Sequence, residues 1–300
     1  IWRRIRMKPE EYNEIKELYS KNVITPLKRD SAYLFKYLNK PERLPSNKTR
    51  RAFYASDATK CKRALGWAVT GVPKSNKISD KSYKIFALGD AIHELLANRY
   101  RKIAGWKFYE EHPGEICKQE KDKTEFLLSY RVDGIMIRED WETDDLFGID
   151  TDTFVCEFKS IGDFPYTTGR NRNRKVYWHG AQDVPKYDHF AQLQMGMLGE
   201  GIKWGILHYQ NKNNSDEAIH IIKLDEEYAN GLVNNLWEIG IDAQNGIIAD
   251  QPFTAYPNRT STDLMKTKTV NGKSNRTDWQ CMYCDYRDKC WKLNDFKEEE

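Results

Sequence analysis

The chain has 300 residues, 39% hydrophobic and 13% aromatic, enough for a sizeable core, which excludes a wholly disordered polypeptide. Its formal net charge is only +3, yet residues 1–63 hold 17 Lys and Arg against 7 Asp and Glu, an imbalance that suits a polyanion such as nucleic acid or else a solvated basic surface. No apolar run is long enough to span a bilayer, and the basic start Ile1-Trp2-Arg3-Arg4 leads into no apolar signal-peptide stretch, so a cytoplasmic protein without a membrane partner is expected.

Residues 9–19 read as a helix, with Pro9 in its first turn and Tyr12, Ile15, Leu18 and Tyr19 on one stripe. Leu34, Tyr37 and Leu38 point to a second short helix, and the polar stretch 41–51, with two prolines, reads as a linker. Residues 1–50 are therefore expected to be a helical extension and residues 51–300 the main domain. The stretch 55–61 opens a helix capped by Ser56 or Asp57 that runs to Trp67 and stops near Gly71-Val72-Pro73, placing Cys61 in its first turn or two beside Lys62 and Arg63. Residues 85–102 form a helix whose expected buried stripe is Ile85, Leu88, Ile92, Leu95 and Leu96. Gly89 and His93, four apart, share an adjoining face; a mid-helix glycine, about 1 kcal/mol worse than alanine, calls for a packing reason such as close approach of a strand.

Two strands follow, 126–137 and 154–159. They read as an antiparallel pair because the acidic segment between them holds no crossover helix. In the second strand Phe154, Cys156 and Phe158 alternate with Val155, Glu157 and Lys159, so one face is apolar and the other sets a carboxylate beside an ammonium. Residues 162–186 read as a long irregular segment carrying Arg170, Arg172, Arg174, Lys175, Tyr177 and Trp178. Such arginines can pair phosphates and such rings can stack bases, which makes the segment a nucleic-acid-guiding loop or else a charged surface loop. Residues 187–198 resume as a helix with Phe190, Leu193 and Met197 apolar and Gln192 and Gln194 on other faces. Strands at 203–210 and 219–224 surround an Asn-rich turn, and 226–239 is an amphipathic helix. The end of the chain is polar and loop-rich apart from its cysteines.

The acidic residues then line up. Asp133 and Glu157 lie on successive strands, where opposed side chains come within about 5 Å, close enough to share one hard divalent cation. Lys159 follows two residues on and can orient a metal-bound water. His93 can add a nitrogen ligand, a set that suits Mn²⁺ better than Mg²⁺. Of the six cysteines, Cys156 reads as core and Cys117 is isolated. The group Cys281-x2-Cys284-x5-Cys290 offers three thiolates, with Cys61 as the fourth, for zinc or for an iron–sulfur cluster.

The order Gly89-x3-His93, Asp133 within Arg-Val-Asp-Gly, Glu157-x-Lys159, and Gln192 within His189-Phe190-Ala191-Gln192-Leu193 resembles the PD-(D/E)XK nuclease superfamily, specifically its RecB-type branch, over residues 55–290. That branch often carries a Tyr four residues after the Gln; here the position is Gly196. The split cysteine set resembles the members stapled by a 4Fe–4S cluster, the AddB-type nuclease domains and the CRISPR-associated RecB-like exonucleases. The resemblance implies an α/β fold with a restriction-endonuclease-like core, a mixed sheet flanked by helices and an iron–sulfur-stapled C-terminus. It implies a Mn²⁺- or Mg²⁺-dependent deoxyribonuclease, acting exonucleolytically at single-stranded DNA ends. The metal would be held by His93, Asp133, Glu157 and the Phe158 carbonyl; Lys159 would act on the attacking water, and Gln192 would contact phosphate or steady Lys159. Cys61, Cys281, Cys284 and Cys290 would hold the cluster. It leaves open a DNA-trimming factor that works with an integrase or another recombination partner, an inactive nucleic-acid-binding module, and a zinc-bearing interaction protein.

Overall fold

The computed structural model describes residues 52–75, 80–120, 123–139, 151–170, 176–250, 269–270, 273–274 and 284–292. The chain divides into two units, Ile1–Leu44 and Pro45–Glu300. The helices expected at 9–19 and 34–38, the linker and most of the acidic 139–152 segment lie outside the described residues. In chain order the elements are β1 (Phe53–Tyr54), a 3-10 turn (Ala55–Asp57), α1 (Lys62–Val69), α2 (Asp80–Tyr100), β2 (Trp106–Glu120), β3 (Lys123–Arg138), β4 (Thr153–Ile161), α3 (Asp163–Tyr166), β5 (Gly169–Arg170), β6 (Val176–Trp178), α4 (Tyr187–Glu200), β7 (Trp204–Asn211), β8 (Glu217–Lys223), α5 (Glu226–Gln244), β9 (Thr269–Val270), β10 (Lys273–Ser274) and α6 (Arg287–Lys292). Among the described residues no helix is long and apolar enough to cross a membrane.

The long strand β3 organises a mixed sheet. One of its edges carries β2, antiparallel, from Trp106↔Arg138 to Glu120↔Lys123. The other edge is shared: β1 pairs in parallel at Leu128 and Ser129, and β4 pairs antiparallel from Gly134 to Ile137. Beyond β4 come β7, parallel, and β8, antiparallel to β7. A parallel β4–β7 pair needs a crossover, and α4 supplies it. Helices α1, α4 and α5 cover one face, around Leu65, Val155, Leu193, Leu207 and Leu236. Helix α2 covers the other, over Met136, Phe154, Cys156 and Phe158.

Local chemistry fixes the ends of these elements. Helix α4 stops at Gly201, which takes the left-handed conformation at φ 67° and returns its N–H to the Leu198 and Met197 carbonyls. Helix α5 is capped by Asp225, whose side chain accepts the Tyr228 N–H at 2.9 Å. Gln194, placed by its spacing on a face away from the core, is instead fully buried. It donates to the Lys223 carbonyl at 2.9 Å and accepts from the Asp225 N–H at 2.8 Å, so it locks α4 to the β8–α5 turn.

Other expectations are corrected. Helix α2 buries Leu96, Ala97 and Tyr100, whereas Ile85, Leu88 and Leu95 of the expected stripe are about half exposed. The helix is turned so that Gly89, His93, Ala97 and Tyr100, near one another at helical spacing, meet the sheet. A methyl at Gly89 would meet only Ser160 Oγ, at 3.6 Å; α2 does approach β4 there, but not so closely that glycine is required. The helix expected to open at residue 55 begins at Lys62, and Cys61 is its N-cap. Asp57 is buried in the preceding turn, where it accepts the Tyr54 N–H at 2.8 Å and pairs with Lys60 at 3.0 Å. Strand β2 went unread because its charges, Pro113 and Gly114 hide the alternation; an edge strand tolerates all of these. The 162–186 segment holds α3 and the β5–β6 pair instead of being wholly irregular.

At Gly196 in α4 an added Cβ would lie 2.7 Å from Val132 of β3, whereas at Gly231 in α5 it would meet nothing within 4 Å. Gly196→Leu is expected to destabilise the fold by about 1–3 kcal/mol through overpacking. Gly231→Ala is expected to stabilise it by about 0.5–1 kcal/mol through helix propensity. Urea unfolding of the two variants beside the parent chain measures both.

Candidate active site

The ladder between β3 and β4 ends at Gly134↔Cys156. The next pair in that register would be Asp133 and Glu157, and there the strands part. The Phe158 N–H, with no ladder carbonyl opposite it, is taken by Asp133 Oδ2 at 2.6 Å. A strand residue sends its N–H and C=O to the same edge, so the Phe158 carbonyl faces the same gap. Gly134 helps to shape the place: the Phe108 ring fills the space a side chain would need and stacks on Phe158 at 6.0 Å.

Two helices bring the remaining side chains in from opposite faces. From α2, His93 Nδ1 lies 3.3 Å from Asp133 Oδ1, and its ring stands edge-on to Phe158 at 6.3 Å. From α4, Gln192 reaches the polar face of β4. Lys159 Nζ donates to Glu157 Oε1 at 2.5 Å and to Gln192 Oε1 at 3.1 Å, while Gln192 Nε2 donates to the same Glu157 oxygen at 2.7 Å. The three side chains close a ring. This charged face lies under α4: the Glu157 side chain is 2% exposed and that of Lys159 17%.

The charges hold one another in defined states. Burial, joined by the Asp133 charge, pushes Glu157 up to about 7 against the opposing Lys159 and His93 charges. Burial would raise Asp133 too, but the hydrogen bond and charge of His93, the Lys159 charge and the Phe158 N–H hold it below the usual carboxylate range. Burial would lower His93, and the hydrogen bond and charge of Asp133 more than reverse this. Burial would likewise lower Lys159, but the Glu157 and Asp133 charges keep it above its ordinary value. Lys159 is therefore a cation throughout the neutral range.

Two carboxylates, an imidazole and a strand carbonyl are donors that Mn²⁺ or Mg²⁺ accepts. As placed, His93 is turned onto Asp133, and Glu157 onto Lys159 and Gln192. Among the described residues no group of three His, Cys, Asp or Glu is arranged to hold a metal ion. The donor chemistry fits a divalent cation; the arrangement is the one in which protein donors occupy the carboxylates.

The thiols gather elsewhere. Cys61, Cys284 and Cys290 are half-buried and unpaired by disulfides. Burial, then the neighbouring Cys61 among other groups, raises Cys284; burial likewise raises Cys290, with Cys61 and Cys284 adding to it and Arg63 opposing. Residues 284–292 are fixed on α1 and the turn after it. Tyr286 packs edge-on against Trp67 at 5.6 Å, the Ser75 N–H donates to the Asp285 carbonyl at 3.0 Å, and the Lys289 N–H donates to Ser75 Oγ at 3.1 Å. Cys281 lies outside the described residues, as do Arg172, Arg174 and Lys175. The backbones of Arg170, Tyr177 and Trp178 form the β5–β6 pair, and their side chains lie outside the description.

Sequence reasoning passed over three neighbours of this site. Tyr209 is the register partner of Lys159 on β7, and His189, one turn before Gln192, meets its hydroxyl at 3.0 Å. His208, buried beside Phe158 as its register partner on β7, sits 3.1 Å from the Tyr100 hydroxyl and 3.5 Å from Glu217, which Arg99 clasps with both terminal guanidinium nitrogens. Only the β4–β7 register exposes these partners, and nothing local in the sequence signals it.

No protein-family model matches the chain, and no curated protein matches it. Solved structures to which the chain is similar include SSO0001, at 16% identity and TM-score 0.44 over 86% of this chain and 96% of that one. They also include LHK-Exo, an alkaline exonuclease from Laribacter hongkongensis, at 13% identity and TM-score 0.39 over 65% of this chain and 89% of that one. The LHK-Exo complex with dAMP stands at 14% identity and TM-score 0.39 over the same shares.

The Glu157–Lys159 pair gives a pH signature. A carboxyl whose folded pKa exceeds its unfolded value favours the fold below the unfolded value, and that contribution is lost as pH rises through the folded value. Glu157 goes from 4.5 to about 7 on folding, so its loss falls in that window. Lys159→Met removes the opposing cation and extends the loss to higher pH. The stability gap between parent and variant should be small at pH 5 and widen above pH 7, by up to about 1.4 kcal/mol per pH unit. Unfolding curves from pH 5 to 9 measure it; a gap that does not change with pH contradicts the pairing.

Proposed function

We propose that the chain is a metal-dependent nuclease that hydrolyses phosphodiester bonds in DNA, exonucleolytically at single-stranded ends. The observation that carries this reading is the parting of β3 and β4 at Asp133 and Glu157, where His93, Lys159 and Gln192 converge from both faces of the sheet. His93, Asp133, Glu157 and the Phe158 carbonyl would hold Mn²⁺ or Mg²⁺, which when bound polarises a phosphate oxygen and lowers the pKa of water. Lys159, kept cationic by two carboxylates, balances the charge that builds on the phosphate and orients the attacking water; its raised pKa makes it a poor proton acceptor. Gln192 holds Lys159 and Glu157 in register. Asp133, pinned by the Phe158 N–H and by His93, is the fixed wall of the site.

The thiolates of Cys61, Cys281, Cys284 and Cys290 are read as ligands of a structural 4Fe–4S cluster that ties the end of the chain to α1. The nearness of Cys61 to Cys284 and Cys290, and the seating of Tyr286 on Trp67, support this. Loss of the cluster would free the C-terminal segment more than it would disturb Glu157 and Lys159.

The test is digestion of 5′- and 3′-end-labelled single-stranded DNA with Mn²⁺ by protein prepared without oxygen. The parent chain should release nucleotides, and Lys159→Ala should be slower by about 10²- to 10⁴-fold while still folded. Equal activity of the two would refute the assignment. Iron and acid-labile sulfide in the same preparation would support the cluster, and zinc without iron would replace it.

A further inference from the structure

His189 and Tyr209 lie beside this site with no part in the account so far. Parallel strands send register partners to the same face, so Tyr209 leaves the sheet on the Lys159 side. His189 precedes Gln192 by one turn of α4 and meets Tyr209 as Gln192 meets Lys159. The Tyr209 hydroxyl belongs to a fully buried residue, and it accepts the Lys186 N–H at 2.9 Å. Its own proton must also go to an acceptor, and the one in reach among the described residues is His189 Nδ1, at 3.0 Å.

That chain of bonds selects a tautomer. With Nδ1 accepting from Tyr209, the proton of a neutral imidazole sits on Nε2. Burial and the Lys159 charge push the ring down to about 4, so it stays neutral in the working range. Among the described residues the nearest carboxylate oxygen to Nε2, on Asp188, is 3.6 Å away, too far for a hydrogen bond. The side chain is 23% exposed, and Nε2, unbonded among the described residues, is not sealed from solvent. The result is a neutral, directional N–H donor held rigidly by its other nitrogen, next to a fixed ammonium.

We propose that His189, through Nε2–H, is a substrate-binding donor to one non-bridging oxygen of the phosphodiester seated against Lys159. The proposal rests on the nuclease reading above and adds to it a specific phosphate contact. Its chemistry suits a phosphate, whose non-bridging oxygens accept from a neutral donor without a second cation being buried. A proton-transfer role does not fit, because a neutral imidazole N–H is far too weak an acid to protonate a leaving oxygen at neutral pH. Tyr209 is the positioning residue that fixes the tautomer.

The experiment uses the full chain with Mn²⁺ and single-stranded DNA that carries one phosphorothioate of defined configuration at the cleaved linkage. On all-oxygen DNA, His189→Ala should lose about 10- to 100-fold in kcat/KM, the range for a hydrogen bond to a charged group. His189→Gln, which can place an amide N–H near Nε2, should recover most of the loss. The decisive reading is the diastereomer: sulfur at the contacted oxygen slows the parent chain but adds nothing further to His189→Ala, while sulfur at the other oxygen slows both alike. If His189→Ala fails to fold, Tyr209→Phe, which keeps its own ring but frees the His189 tautomer, should show a smaller loss that likewise vanishes when sulfur sits at the contacted oxygen. Equal His189→Ala losses on both diastereomers would overturn the proposal, as would disappearance of a limb of the pH–rate profile, which would make His189 an acid or base. If the parent chain cleaves no DNA at all, the nuclease reading fails first, and the two failures are thereby distinguished.

Discussion

The structure turns on a carboxylate buried where two strands separate. Glu157 lies in the middle strand of the sheet with helices over both faces, yet it keeps a polar environment because Lys159 and Gln192 both bond its Oε1. A buried acid with one partner missing is strongly destabilising, whereas a fully bonded one is tolerated. Much of the surrounding architecture meets that requirement. Helix α4 is locked by Gln194 to the β8–α5 turn and pressed onto Val132 at Gly196, which brings Gln192 within reach. Helix α2 is anchored below by Tyr100, His208 and the Arg99–Glu217 pair, so His93 meets Asp133.

The same arrangement sets two carboxylates close enough to oppose each other's ionisation. Asp133 keeps its charge because His93 and the Phe158 N–H hold it, and Glu157 bears the consequence in a raised pKa. Such opposed shifts on neighbouring acids are characteristic of functional sites and serve stability poorly. A divalent cation bound there, as proposed, would relieve the conflict, since it would draw on both carboxylates and displace a proton from one. Stability and the proposed metal binding thus conflict at Glu157, and Lys159 moderates the conflict without removing it.

Much of this was legible in the sequence, for local reasons. The alternation from Phe154 to Lys159 defines β4, and a strand carrying Arg-Val-Asp-Gly followed by a second strand places Asp133 near Glu157. The four-residue step from Gly89 puts His93 on the sheet-facing side of α2. What was not legible depends on tertiary rotation and register. The apolar stripe of α2 was misplaced because Ile85, Leu88 and Leu95 are partly exposed and the helix turns its smaller face, with Gly89 and Ala97, toward β4. Gln194 gives no sign in the sequence that its amide closes a turn between distant elements. His189 stood inside a quoted motif, but its meaning depends on Tyr209, which only the β4–β7 pairing brings alongside.

The most direct measurement is calorimetric titration of Mn²⁺ into the chain at pH 6, 7 and 8, with Glu157→Gln beside it. If the cation displaces the proton that Glu157 holds up to about 7, affinity should weaken about tenfold per pH unit below that value, with proton release, and be largely lost in the variant. Binding that is independent of pH and unchanged in Glu157→Gln would place the metal elsewhere and contradict the role given to the parted strands.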